Sequence, residues 1–131
     1  MIFLLMFFAA SAFGQEDSKL HWAINQHRMS KDLPLLTTIE PLDCTAKSHA
    51  ADLYENDICS HTGSDGKTLR QRAKACKSTA RSELIACGYN NIDSIVKEWL
   101  TQPRGKKIIE CTDCQALGIG QVGSYWVVVT N

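Results

Sequence analysis

The chain has 131 residues, 14 basic and 14 acidic, no net charge at pH 7 and 44% apolar content. Those values predict one domain around one core and exclude an array of domains or a uniformly basic nucleic-acid binder. Charge is nevertheless uneven, with nine acids and four bases in residues 15–65 and ten bases and three acids in residues 66–107.

The opening MIFLLMFFAASAFG, residues 1–14, is an apolar run ending in small residues. It predicts a secretory leader, with Ala12 and Gly14 in the small-residue places before cleavage. No Lys or Arg precedes the run, and it is shorter than the roughly 20 apolar residues a membrane span needs. Residues 15–131 are then the expected domain, secreted to an extracellular location and without a transmembrane segment. All six cysteines, Cys44, Cys59, Cys76, Cys87, Cys111 and Cys114, fall in it. An even count in a secreted chain points to three disulfides worth about 2–4 kcal/mol each, with the pairing left open.

Residues 18–29 put Leu20, Ala23, Ile24 and His27 on one helical face behind Ser18 as a cap. A second helix is predicted over residues 41–56, with Pro41 in its first turn and His49 on its apolar face beside Leu42, Ala46, Ala50 and Leu53. A histidine in that position reads as a hydrogen-bonded core residue. His61 follows in a polar, glycine-bearing loop, and then come Lys67, Arg70, Arg72, Lys74, Lys77 and Arg81, partly on a short helix over residues 69–76. This basic run reads first as a solvated helix face and second as a patch for an anionic surface. No aromatic residues interleave with it, so nucleic acid is not an expected partner. Residues 92–102 give a third periodic helix, from Ile92, Ile95, Val96, Trp99 and Leu100, capped by Asn90 or Asn91.

Toward the C-terminus the period changes from helical to extended. Residues 116–120, a turn at 121–124 and residues 125–129 predict a β-hairpin. Its last strand is apolar at successive positions, which requires cover on both faces. The expected fold is therefore α+β, a disulfide-stabilised three-layer α/β/α sandwich with a central antiparallel sheet. The pair Cys111-Thr-Asp-Cys114 has the spacing of a redox or zinc motif, but a strand rather than a helix is predicted to follow it, so it reads as a structural bridge.

In that order, several segments resemble the superfamily of cysteine-rich secretory, antigen 5 and pathogenesis-related proteins, the CAP or SCP-like domain. Ile24-Asn-Gln-His-Arg28 is similar to the N-x-x-R of the first helix, and Leu33-Pro-Leu35 to the L-P-x-L link. LDCTAKSHAADL, residues 42–53, resembles L-x-x-x-A-x-x-H-A-x-x-L. The segments 60–66 (SHTGSDG), 82–88 (SELIACG) and 96–100 (VKEWL) follow at the family's spacing, as do Gly118-Ile-Gly120 and Tyr125-Trp126. The resemblance covers almost all of residues 15–131.

This resemblance implies a cleft lined by two histidines and two acids, which in several members hold a divalent metal. His61 and Glu83 match the first of each. The second acid's place is taken by Gln102, and the second histidine's by Gly105 or Lys106, so His61 and Glu83 are at most weak metal candidates. No metal or other cofactor is expected, and no catalytic residue is assigned. Without metal, His61 and Glu83 read as a structural pair joining the loop to a strand. The leading expectation is a secreted, non-enzymatic binding module, with lipid, sterol or an anionic membrane surface as candidate partner. A divergent metal-dependent or His–Glu hydrolase and a receptor- or channel-directed effector are the alternatives.

Overall fold

The computed structural model describes residues 12–131. Of the expected leader, residues 1–11 lie outside the described part. Five helices and four strands follow: α1 Ala12–Ser30, β1 Thr37–Thr38, α2 Glu40–Asn56, α3 Leu69–Ala75, β2 Ser82–Cys87, α4 Ile92–Thr101, α5 Pro103–Ile109, β3 Ala116–Val122 and β4 Tyr125–Thr130. Helix α1 starts six residues before the expected cap, so Ser18 lies inside it; Gln15 and Glu16 are good helix formers that carry the helix upstream.

The four-stranded sheet has the order β1-β3-β4-β2. Its three long strands are antiparallel, and two-residue β1 adds a parallel edge through Thr37 and Thr38 beside Ala116 and Leu117. The β3–β4 connection is only two residues, Gly123 and Ser124, shorter than the four-residue turn expected; Gly123 takes the positive φ (58°) that such a tight connection needs. Along β4 the side chains alternate between two cores. Trp126 and Val128 join Leu20, Ile24, Ile95, Trp99 and Ile108 on the side of α1, α4 and α5. Val127 and Val129 join Leu42, Ala46, Ala50 and Leu53 on the side of α2. Both faces are thus covered, as the unbroken apolar run requires.

Helix α2 buries Leu42, Thr45, Ala46, His49, Ala50 and Leu53 along one face. It lies directly on the β3 backbone. A Cβ at Gly118 would stand 2.1 Å from the Leu42 carbonyl carbon, and one at Gly120 would stand 2.5 Å from the Ala46 carbonyl oxygen. Thr68 and Gln71 form a reciprocal capping box on α3, and Asn91 caps α4 through the Ser94 N–H at 3.0 Å.

Helix α5 is absent from the sequence reading, since Pro103 and Gly105 are poor helix formers. Pro103 instead occupies the first helical turn, and Gly105 lets α5 fold back on α4, since a Cβ there would stand 2.2 Å from the Trp99 carbonyl oxygen. The disulfides are Cys44–Cys76, joining α2 to the end of α3; Cys59–Cys87, joining the loop after α2 to the end of β2; and Cys111–Cys114, within the loop after α5.

Gly118→Ala is expected to lower stability by about 3 kcal/mol, because its methyl group meets backbone that has no room to move. Gly66→Ala, where no atom lies within 4 Å and only the positive φ (81°) is at stake, is expected to lose about 1 kcal/mol. Urea denaturation midpoints of the two variants check the difference.

Candidate functional site

The centre of the site is Glu83, in the second position of β2 and 2% exposed. Strand alternation turns it toward α2 and α3, with Ile85 and Cys87, while Leu84 and Ala86 face the other core. Three groups converge on its carboxylate. His61 Nδ1 donates to Oε1 at 2.9 Å, Arg72 Nη2 donates to Oε2 at 2.7 Å, and His49 Nε2 lies 3.8 Å from Oε1.

The loop after α2 is held so that His61 reaches this point. Cys59–Cys87 pins one end to β2. Asp52 on α2 accepts from the Ser64 N–H at 2.7 Å and from the Ser64 hydroxyl. Arg72 Nη1 donates to the carbonyls of His61 at 3.1 Å and Lys67 at 3.0 Å, so one guanidinium fastens the loop and neutralises Glu83. His61 itself is half exposed, whereas His49 is fully buried and donates from Nε2 to the Ser60 carbonyl at 2.7 Å. The expected loop-to-strand contact of His61 with Glu83 is present. His49 is the hydrogen-bonded core histidine expected, but its place beside Glu83 was not read from the sequence.

Burial pushes the Glu83 carboxyl upward, but the hydrogen bonds from His61 and Arg72 and the Arg72 charge outweigh it and hold the group below the ordinary carboxylate range. Burial pushes the His49 imidazole down; Glu83 opposes this and Arg72 adds to it.

The remaining cleft positions do not join the pair. Gln102, between α4 and α5, donates to Glu98 at 3.0 Å. Gly105 is buried against Trp99, and Lys106 is exposed, with its charge acting on Glu110. Among the described residues, none of the three shares a hydrogen bond or ion pair with His61 or Glu83.

A divalent metal does not fit here. Both Glu83 oxygens accept bonds, one of them from a guanidinium that would repel a cation, and among the described residues no three His, Cys, Asp or Glu groups converge as a ligand set. A carboxylate so neutralised is also a poor general base. All six cysteines are bridged, and the Ser60 hydroxyl accepts from the Thr62 N–H.

The basic run needs one correction. Arg72 is 7% exposed and belongs to the Glu83 cluster, not to a surface patch, because the buried carboxylate draws it inward. Lys67, Arg70, Lys74, Lys77 and Arg81 are exposed; Lys67 lies 3.6 Å from Asp65, and Arg81 lies 3.5 Å from Asp113. The first-helix histidines stand apart, His21 on the Leu36 carbonyl at 2.6 Å and His27 on Glu110 at 2.7 Å.

The sequence reading also passed over what Asn25 and Arg28 do. Asn25 brackets Leu36, donating to its carbonyl at 3.0 Å and accepting from its N–H at 2.9 Å. Arg28, fully buried, donates to the carbonyls of Pro34, Ile109 and Cys111. A signal existed, since Arg28 continues the row of Leu20 and Ile24 at four-residue steps on a buried face.

A disulfide-bonded three-layer α/β/α sandwich with this element order defines the class of domain. The cysteine-rich secretory protein (CAP) family matches residues 22–127, and the chain belongs to that family. An extracellular SCP-domain protein from Bacillus anthracis superposes with a TM-score of 0.84 at 21% identity over 90% of this chain. An outer surface protein from Borrelia burgdorferi does so with 0.78 at 26% identity, covering 89% of this chain and 93% of that one. A cysteine-rich secretory protein from Staphylococcus aureus gives 0.74 at 15% identity over 92% of this chain. The chain spans 40% of the Bacillus protein and 39% of the Staphylococcus protein. No curated protein matches it.

The buried cluster predicts a two-stage loss of stability in acid. His49 binds its proton less readily folded than unfolded, so its contribution is present above about pH 6.5 and is lost as pH falls below that value. Glu83 is held low, so its contribution persists to about pH 4.3 and is lost as pH falls through its folded value. Urea midpoints between pH 8 and pH 3 are expected to show both stages. His49→Gln should remove the upper one. Glu83→Gln should remove the lower one and cost about 3 kcal/mol at pH 7, by leaving Arg72 buried and unpaired.

Proposed function

We propose that the chain is a secreted, non-enzymatic CAP-domain binding module whose His61–Glu83 pair is structural and whose partner is an anionic membrane surface. The observation that carries the first half is Glu83 itself, engaged on both oxygens by His61 and Arg72. A carboxylate in that state holds the loop to the sheet, and the Arg72 charge beside it disfavours both a metal cation and a substrate proton. Secretion is supported by the three disulfides and by the extracellular and outer-surface proteins that share the fold.

The partner is argued from Lys67, Arg70, Lys74 and Lys77, which are exposed on and beside α3. Among the described residues, only Lys67 of the four has an acidic side chain within ion-pair distance, and that pair is itself exposed. A headgroup surface suits this face better than an enclosed sterol. A cavity of about 480 Å³ beside α1 and the start of α4 sets Trp22, Ala23 and Ile92 among Glu16, Lys19, Asn91 and Asp93, whereas apolar ligands need a mostly apolar wall.

Titration calorimetry of the folded protein with Zn²⁺ is expected to give no submicromolar binding, and His61→Ala is expected to keep the fold. Tight zinc binding, or a hydrolytic activity that His61→Ala abolishes, would overturn the non-enzymatic reading. Co-sedimentation with phosphatidylserine vesicles is expected to weaken as salt rises and to fall about tenfold in the double variant Arg70→Glu/Lys74→Glu. Binding that is absent, or indifferent to salt, counts against the membrane partner.

A further inference from the structure

We propose that Cys111–Cys114 is a redox-active bridge that exchanges with small anionic thiols, received in a cationic pocket beside Cys111, with the buried Arg28 guanidinium next to the leaving sulfur of Cys114. This goes beyond the binding-module reading and adds chemistry to a pair that the sequence context reads as a structural bridge.

The pocket is a cavity of about 350 Å³ between the start of β2, α5 and the end of β4, lined among others by Arg81, Arg104, Lys107, Ile108, Cys111 and Asp113. Its three cationic side chains face one acidic side chain, Asp113, which is exposed and lies 3.5 Å from Arg81; Arg81 also donates to the Asn131 backbone oxygen at 3.2 Å, so Arg104 and Lys107 are the cations left for a ligand. Arg104 and Lys107 have no ion-pair partner among the described residues. Such a lining concentrates an anionic thiol and favours its thiolate, the attacking form. Cys111 is half-buried and contributes to the pocket wall, while Cys114 is buried. Attack therefore falls on Cys111.

Behind the bridge lies an unusual cation. Arg28 is fully buried, and its partners are the carbonyls of Pro34 at 2.8 Å, Ile109 at 3.0 Å and Cys111 at 2.7 Å, with the Cys114 sulfur 3.9 Å from Nη1. Nη2 has no partner, and no carboxylate among the described residues pairs with the group. A buried guanidinium without a counter-ion stabilises a negative charge formed beside it, and a Cys114 thiolate is that charge. The same Nη1 contacts offset the carbonyl end of α5, which would otherwise disfavour a thiolate just past a helix C-terminus.

Chain connectivity points the same way. Cys111 and Cys114 are three residues apart, so losing that bridge costs the fold little, whereas Cys44–Cys76 and Cys59–Cys87 span 32 and 28 residues and constrain the unfolded chain more. In the first step a thiolate attacks the Cys111 sulfur, the S–S bond breaks and its electron pair leaves on Cys114 as thiolate. In the second, another thiol attacks the added sulfur of the mixed disulfide and releases Cys111. Two thiols become one disulfide, their two electrons reduce the bridge, and their protons pass to the two cysteines.

The test incubates the folded protein with glutathione or, separately, with neutral 2-mercaptoethanol, then quenches in acid, alkylates and maps peptides by mass spectrometry. Cys111 and Cys114 are expected to be labelled under conditions that leave the other two bridges intact, with the glutathione adduct on Cys111. The surface variant Arg104→Glu/Lys107→Glu is expected to slow exchange with glutathione about tenfold and to leave the 2-mercaptoethanol rate unchanged. Simultaneous reduction of all three bridges, an adduct on Cys114, or a variant that slows both thiols equally or neither would overturn the proposal.

Discussion

Helix α2 lies directly on the backbone of β3, and it can do so because Gly118 and Gly120 have no side chains to hold the helix off. Asp43 uses that proximity to accept from the Ile119 N–H at 3.0 Å, locking helix to strand in register. With α2 fixed at this height, Ala46 and Ala50 complete the core below it, and His49 is delivered to the depth of Glu83. Cys44, at the start of the same helix, then reaches the end of α3. Two missing methyl groups thus set the height of the helix that carries His49 and Cys44.

Around Glu83 the protein keeps a buried charge that its fold does not strictly need. Replacing a buried ion pair by apolar groups is often neutral or stabilising, while removing one partner is costly. Here Arg72 also fastens two loop carbonyls, so the pair gains specificity from contacts beyond its own attraction. The result is a scaffold in which Glu83 and Arg72 clamp the loop carrying His61 to the sheet.

Much of the architecture was legible in advance because periodicity reports burial. The face of α2 and the two-sided cover of β4 follow from which positions are apolar, and of the two caps open for α4, Asn90 or Asn91, the structure uses Asn91. Helix α5 was not legible, since Pro103 and Gly105 carry local signals for a turn that tertiary packing against Trp99 overrides. The pairing of His61 with Glu83 was read from resemblance, and the structure supplies its geometry. Arg72 was misplaced because charge in a basic run is indistinguishable in sequence from a solvated face. Only a carboxylate arriving from a strand eleven residues later decides otherwise. Arg28 shows the converse, a cation whose burial its helical row did announce.

The two long bridges both straddle the segment 60–75, one anchored before it at Cys44 and the other at Cys59, with their partners Cys76 and Cys87 beyond it. A protease that nicks the exposed stretch at Lys67 or Arg70 therefore leaves two pieces tethered twice over. The severed domain would travel as a single species until a reductant separates it, so cleavage there can alter a surface without releasing a fragment.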